Sequence, residues 1–261
     1  VRGVAICSAA ALVLFLSIPL VAMVWRLLRD GRGVTPEALA TLRDAMTLSL
    51  LTTAVAMLIV LITGIPLAFL LARRAFPGSR LIDTLVDLPI VLPPAVAGIA
   101  LLVAFGRNGL IGRGLASMGV TLGFTTAAVI LAQVFVAAPF FVRAARSGFQ
   151  RVDRDLEEAA ADLGASPLRT LRSVTFPMAL PSLMAGAVLA WARALGEFGA
   201  TIMFAGNFPG VTQTMPLAIY ARFGAGDLTS ALILSLVLLI ASVIVLFGLR
   251  LLAARTGTPV I

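Results

Sequence analysis

Residues 45–72 read AMTLSLLTTAVAMLIVLITGIPLAFLLA, 28 consecutive positions without one charged side chain. Coiled as an α-helix this stretch would extend about 42 Å, which exceeds the ~30 Å hydrocarbon layer of a bilayer and lets it cross with tilt. Similar windows lie on either side of it. Residues 4–25 form the first. This run is longer than the apolar core of a secretory signal and no A-x-A site follows, so it reads as a retained helix. Downstream come 88–106, opening with Pro89, Pro93 and Pro94, and 115–142, helical from about Thr125 with Pro139 near its end. Residues 173–192 continue past Arg193 and Glu197 into apolar sequence reaching Ala221, and 228–249 complete the set. The expected fold is an all-α polytopic membrane protein with about six transmembrane helices and both termini on one side.

The composition agrees and removes other functions. Of 261 residues, 60% are apolar and 12% charged, with a mean hydropathy of +1.07; soluble domains carry roughly 45–50% apolar and about 25% charged residues. The chain has no histidine, which excludes His-based triads and His-ligated zinc or haem. Its single cysteine, Cys7, allows no intrachain disulfide or thiolate cluster. All 20 basic residues are arginine, so the lysine of a Walker A phosphate loop is missing. If ATP is used, another chain must hydrolyse it. The net charge of +8 and pI near 11.5 come from arginines between apolar runs, not from a basic stripe interleaved with aromatics. They read as membrane-surface anchors, with no nucleic-acid partner.

Arginines near helix ends orient the chain. With the termini inside, the inner set is Arg2, Arg73, Arg74, Arg80, Arg143, Arg146, Arg151, Arg154, Arg169, Arg172, Arg250 and Arg255. The outer set is smaller: Arg26, Arg29, Arg32, Arg43, Arg107, Arg113 and Arg222. The expected organisation is a first helix with its outer loop over 1–44, a transmembrane domain over 45–252, and a cytoplasmic tail over 253–261.

The one substantial polar segment, 151–177, reads RVDRDLEEAAADLGASPLRTLRSVTFP. Asp155 and Glu158 have capping-box spacing. Leu156, Ala159, Ala160 and Leu163 form an apolar stripe at i, i+3, i+4 and i+7, backed by Glu157, Glu158 and Asp162. Gly164 suits a left-handed helix stop, and Ser166-Pro167 restarts a helix as N-cap and N1, with Leu168 and Leu171 on one face. A lipid-surface helix usually shows basic residues on its polar face. This one is acidic beside small alanines, which fits docking to a partner protein.

Glu158-Ala159-Ala160, three residues, Gly164, nine residues, then Val174-x-Phe176-Pro177 resembles the E-A-A-x3-G-x9-I-x-L-P signature of ATP-binding-cassette importer permeases, with Val and Phe for the usual Ile and Leu. The resemblance implies that the loop is cytoplasmic, lies between spans 4 and 5, and seats a coupling helix in a groove of the ATPase. Leu156, Glu158, Ala159, Ala160, Leu163, Gly164, Ser166 and Pro167 are the coupling residues it points to.

Further on, Arg193 and Glu197 stand four apart within apolar sequence, on one face of a helix and able to pair. Intramembrane charges turn toward a bundle interior or a pathway. Two readings stay open: Arg193 beside the route of an anion, or a self-satisfied pair bolting helices together. Gly196 and Gly199 permit close approach or bending. The runs GEFGATIMFAGN (196–207) and TQTMPLAIY (212–220) resemble the molybdate permeases of the importer family, with tungstate as an equivalent cargo and sulfate or thiosulfate permeases as a second likeness through GEFG.

This resemblance covers about residues 45–252. It implies a homodimer in the cell membrane, two ATPase subunits carrying ATP and magnesium, an extracytoplasmic molybdate-binding protein, and no cofactor on this chain. Asn207 and Gln213 are candidates to ease oxyanion passage, and Met203 and Phe204 are candidates for a gate. The rival from another class is an ion-coupled carrier with Glu197 as proton carrier. It accounts for the pair but not for the 151–177 signature.

Overall fold

The computed structural model describes residues 2–30, 35–74 and 76–255. Arg32 and residues 256–261 of the expected tail lie outside the described residues. Among the described residues the chain is helical and carries no strand. Helix α1 spans Arg2–Asp30 and α2 Pro36–Arg73. Helix α2 starts ahead of the charge-free run because Thr35 caps it, its hydroxyl accepting from Ala38 N, with Pro36 in the first turn.

The 88–106 window is not one helix. Helix α3 (Ser79–Val91) stops and α4 (Pro94–Phe105) restarts, because Pro94 holds Pro93 in an extended conformation, φ −54° and ψ 136°. Together the two run antiparallel to α6 (Thr126–Arg151). Asp83 of α3 meets Arg146 near the end of α6, and Leu101 of α4 packs with Val129 near its start. After the short α5 (Gly112–Ser117), α6 begins where expected, Thr125 accepting from Ala128 N.

The 173–221 region is also broken. Helix α9 (Phe176–Leu195) ends at Gly196, α10 covers Gly199–Ala205, and α11 covers Met215–Gly224. Helix α12 (Leu228–Arg255) closes the fold. Five helices among the described residues are long and apolar enough to cross a membrane, lying within α1, α2, α6, Pro167–Leu195 and α12. Helix α4, at 12 residues, reaches only about 18 Å and packs beside α10. Gly98 and Gly199 allow this: an added Cβ would come within 2.6 Å of Ala200 O at the first and 2.5 Å of Pro94 Cβ at the second.

Helix α6 is the centre, with α2 and α9 against it. The core there includes Val60, Phe141, Phe149 and Leu183. In lipid, burial of apolar surface does not drive helices together, so close van der Waals packing of small residues must. Helix α9 presents Ser182, Gly186, Ala190 and Ala194 at intervals of four, and α6 answers with Ala137, Ala144, Ala145 and Gly148. A Cβ on Gly186 would stand 2.8 Å from Ala144 Cβ, and one on Gly148 would stand 2.5 Å from Ser182 Cβ. Helix α1 lies outside this packing. Its apolar window buries nothing, and its contact is with α12.

Gly186→Leu should therefore force α6 and α9 apart. Overpacking of this kind costs about 1–3 kcal/mol, read as a lowered thermal midpoint and loss of the monodisperse elution peak in detergent. Gly224→Ala, with open space around it, should leave both unchanged.

Candidate docking loop and intramembrane ion pair

The loop after α6 folds as two helical pieces around a glycine. Helix α7 spans Arg154–Asp162 and α8 spans Pro167–Thr170, the latter passing through a wide π-turn at Leu171–Thr175 into α9. Gly164 has φ +85°, the left-handed stop its position suggests. Ser166 caps α8, its Oγ accepting from Arg169 N at 3.4 Å, with Pro167 at the first position. The capping of α7 differs from expectation. Asp153, not Asp155, is extended and accepts from Asp155 N at 3.1 Å, so the box of Asp155 and Glu158 does not form. The chain leaves α6 at Val152 and turns there, which puts the cap two residues earlier.

The faces of α7 also differ. Leu156 and Leu163 are exposed, the latter at 90%; Ala159 is exposed and Ala160 half-buried. Glu158 is exposed, whereas Glu157 turns back toward the bundle. One Glu157 oxygen accepts from Arg73 Nη2 at 2.8 Å and from Thr175 Oγ1 at 2.5 Å. Arg73 also donates to Val152 O at 3.1 Å. The last residue of α2 thus holds the end of α6 and the middle of α7, while Thr175 ties α7 to the start of α9. The sequence reading set Glu157 among the solvent-facing acids, since its partner lies 84 residues away. Two further ion pairs fix α3 to the same end: Arg143 with Asp87, Nε to Oδ1 at 2.6 Å, and Arg146 with Asp83.

Arg193 and Glu197 do pair, Nη1 to Oε2 at 2.5 Å, but not on one continuous helix, since α9 ends between them. Glu197 is 1% exposed. Its Oε1 accepts from Ala200 N at 2.7 Å and so satisfies an amide in the first turn of α10. Its Oε2 meets Arg193 as a charge contact outside hydrogen-bond alignment. The Ala194 carbonyl at the end of α9 accepts from Glu197 N at 3.2 Å and also from across the bundle: Gln133 Nε2 donates to Ala194 O and to Thr53 Oγ1, both at 3.2 Å. Gln133 joins α6, α9 and α2 in one contact and was missed in the sequence. Its signal was an amide side chain in the middle of a charge-free run.

The remaining candidates scatter. Asn207 donates to Leu217 O at 3.3 Å while its Oδ1 is buried without a partner, and Gln213 is half-buried. Phe204 is fully buried among Ala97, Leu101, Val129 and Val136, whereas Met203 is exposed on α10.

Removing Glu157 should loosen the loop, because a hydrogen bond to a charged group contributes about 1.5–3 kcal/mol. Limited trypsin digestion of Glu157→Ala should cut after Arg151 or Arg154 about tenfold faster than in the parent. Glu158→Gln should digest at the parent rate.

A family model described as "Binding-protein-dependent transport system inner membrane component" matches residues 64–258. The chain is 42% identical over 256 residues to the Molybdenum transport system permease protein ModB of Mycobacterium tuberculosis, covering 95% of this chain and 92% of that one. It is 37% identical over 239 residues to the Probable sulfate transport system permease protein cysT of Chlorokybus atmophyticus, covering 90% and 83%. Among solved structures, a bacterial alginate ABC transporter in complex with an alginate pentasaccharide-bound periplasmic protein superposes with a TM-score of 0.78 at 15% identity, covering 98% of this chain and 95% of that one. That likeness extends the shared architecture to nearly the whole chain. On the family model and these identities, the chain belongs to the binding-protein-dependent transport system inner membrane components.

Proposed function

We propose that this chain is the membrane permease subunit of an ATP-driven importer of molybdate or tungstate, working as a homodimer by alternating access. The observation that carries the reading is the apolar stripe of α7, Leu156 and Leu163, left exposed on a helix anchored from behind by Glu157, Arg73 and Thr175. A protruding apolar face on a rigid mount suits a groove in a partner, and the partner fitting this family is an ATPase pair carrying ATP and Mg2+. Motion of that pair against α7 would reach α2 through Arg73 and α9 through Thr175. The break at Gly196 gives α10 freedom to swing relative to α9.

On this reading the loop and both termini are cytoplasmic. The arginine excess at the loop end supports that, and α3 with α4 makes a sixth, broken crossing. An extracytoplasmic binding protein delivers the anion at the opposite face. Molybdate as cargo rests on the likeness to ModB; sulfate is the neighbouring alternative through cysT. Glu197 already holds Ala200 N and Arg193, which favours a structural pair over a proton carrier. Met203, exposed on α10, is the stronger gate candidate, and Phe204 holds α4 and α6 together.

Uptake of labelled molybdate in cells carrying the permease, ATPase and binding protein tests the cargo. Competition by tungstate and not by sulfate is expected; competition by sulfate at equal concentration would move the assignment to the sulfate carriers. Gly164→Val strains a residue at φ +85°. It should leave the subunit inserted while reducing binding-protein-stimulated ATPase activity at least tenfold, and normal stimulation would remove the docking role. Glu197→Gln keeps the acceptor for Ala200 N and should retain ATP-driven uptake, whereas a proton-coupled carrier would lose it.

A further inference from the structure

A cleft of about 310 Å³ beside the loop is lined by Arg73, Arg74, Arg80, Asp83, Arg146 and Arg154. The end of α2, the start of α3, the last turns of α6 and the start of α7 meet there. Two of these guanidinium groups have carboxylates, Arg73 with Glu157 and Arg146 with Asp83. Among the described residues, Arg74, Arg80 and Arg154 have none. Uncompensated like charges around one cleft repel one another. The Arg73 side chain is also only 10% exposed, and its Nε is buried with no acceptor; the Nε of Arg146 is in the same position. Buried donors of charged groups are costly to leave unpaired. The cleft therefore combines excess positive charge with two orphaned charged donors from residues in its wall.

We propose that this cleft binds a tetrahedral oxyanion of the phosphate type, as a free dianion or as the phosphate of an anionic lipid headgroup. The planar fork of a guanidinium matches two oxygens of such a group, and five forks converge here from four helices. Basic pockets at one face of a helical bundle are where lipid headgroups dock, and the same oxygens are offered by a soluble oxyanion. An occupant reaching Arg73 Nε shares that guanidinium with Glu157, so occupancy is tied to how firmly α7 is held. The binding site rests on this geometry alone; its effect on ATPase coupling rests on the transport reading.

The test uses the full chain in lipid nanodiscs without ATPase or binding protein, so its outcome and that of the uptake assay are independent. In discs of neutral phosphatidylcholine, inorganic phosphate and labelled molybdate are titrated. In discs containing phosphatidylglycerol, lipid retained after exchange into neutral lipid is measured by mass spectrometry. The double variant R74Q/R80Q and the single variant R154Q are compared with R107Q/R113Q, altered outside the cleft. Saturable oxyanion binding in neutral discs, weakened at least tenfold in R74Q/R80Q and more modestly in R154Q, supports the free-anion source. No soluble binding but phosphatidylglycerol retention lost in the same variants supports the headgroup source. Absence of both, binding unchanged in R74Q/R80Q and R154Q, or equal loss in R107Q/R113Q overturns the proposal and leaves an ordinary charged membrane-facing surface.

Discussion

A helix broken within apolar surroundings leaves amides and carbonyls that lipid will not satisfy. This chain breaks its helices between α3 and α4, between α9 and α10, and again between α10 and α11. Around the second and third breaks these groups find partners, one local and the others from distant residues. Gln133 donates to the Ala194 carbonyl, Glu197 accepts from the Ala200 amide, Phe124 N donates to Phe204 O at 3.2 Å, and Ser49 Oγ accepts from Met215 N at 2.7 Å. The residues that look functional by being polar in an apolar run are the ones that allow α9, α10 and α11 to be separate pieces.

The same economy shapes the polar end. A loop of two short helices has too little buried surface to hold itself in place, and α7 has no buried residue. It is held by Glu157, whose single oxygen collects Arg73 and Thr175, and by the short connection through Val152 to α6. The outer face of α7 is thereby freed from any structural duty. Leu156, Ala159 and Leu163 stay exposed, which is what a surface reserved for another protein requires.

Much of this was legible locally. The charge-free runs 4–25, 45–72 and 228–249 each lie within one helix, and the Gly164, Ser166 and Pro167 punctuation acts within one turn, so both were readable from adjacent residues. The faces of α7 were not. Glu157 and Glu158 are chemically identical, and only Arg73, 84 residues earlier, decides which turns inward. The cap moved from Asp155 to Asp153 because the exit of α6 sets the first free amide. The break at Pro93 was signalled by the prolines yet obscured by the unbroken hydropathy of 88–106. Gln133 stood out only as an amide within a charge-free run; its meaning depends on Thr53 and Ala194 arriving beside it.

Helix α2 is 38 residues long, about 57 Å, and polar side chains along it reach three different elements. At its start, Glu37 pairs with Arg222 of α11 at 3.0 Å; near its midpoint, Thr53 receives Gln133; at its end, Arg73 holds α7. Were this helix to tilt as a rigid body, its two ends would move in opposite directions. A tilt of about 5° about Thr53 displaces each tip by about 2.5 Å, in opposite directions. A single helix thus runs unbroken from the Glu37–Arg222 contact to the Arg73–Glu157 contact, with the Gln133 amide held against its middle.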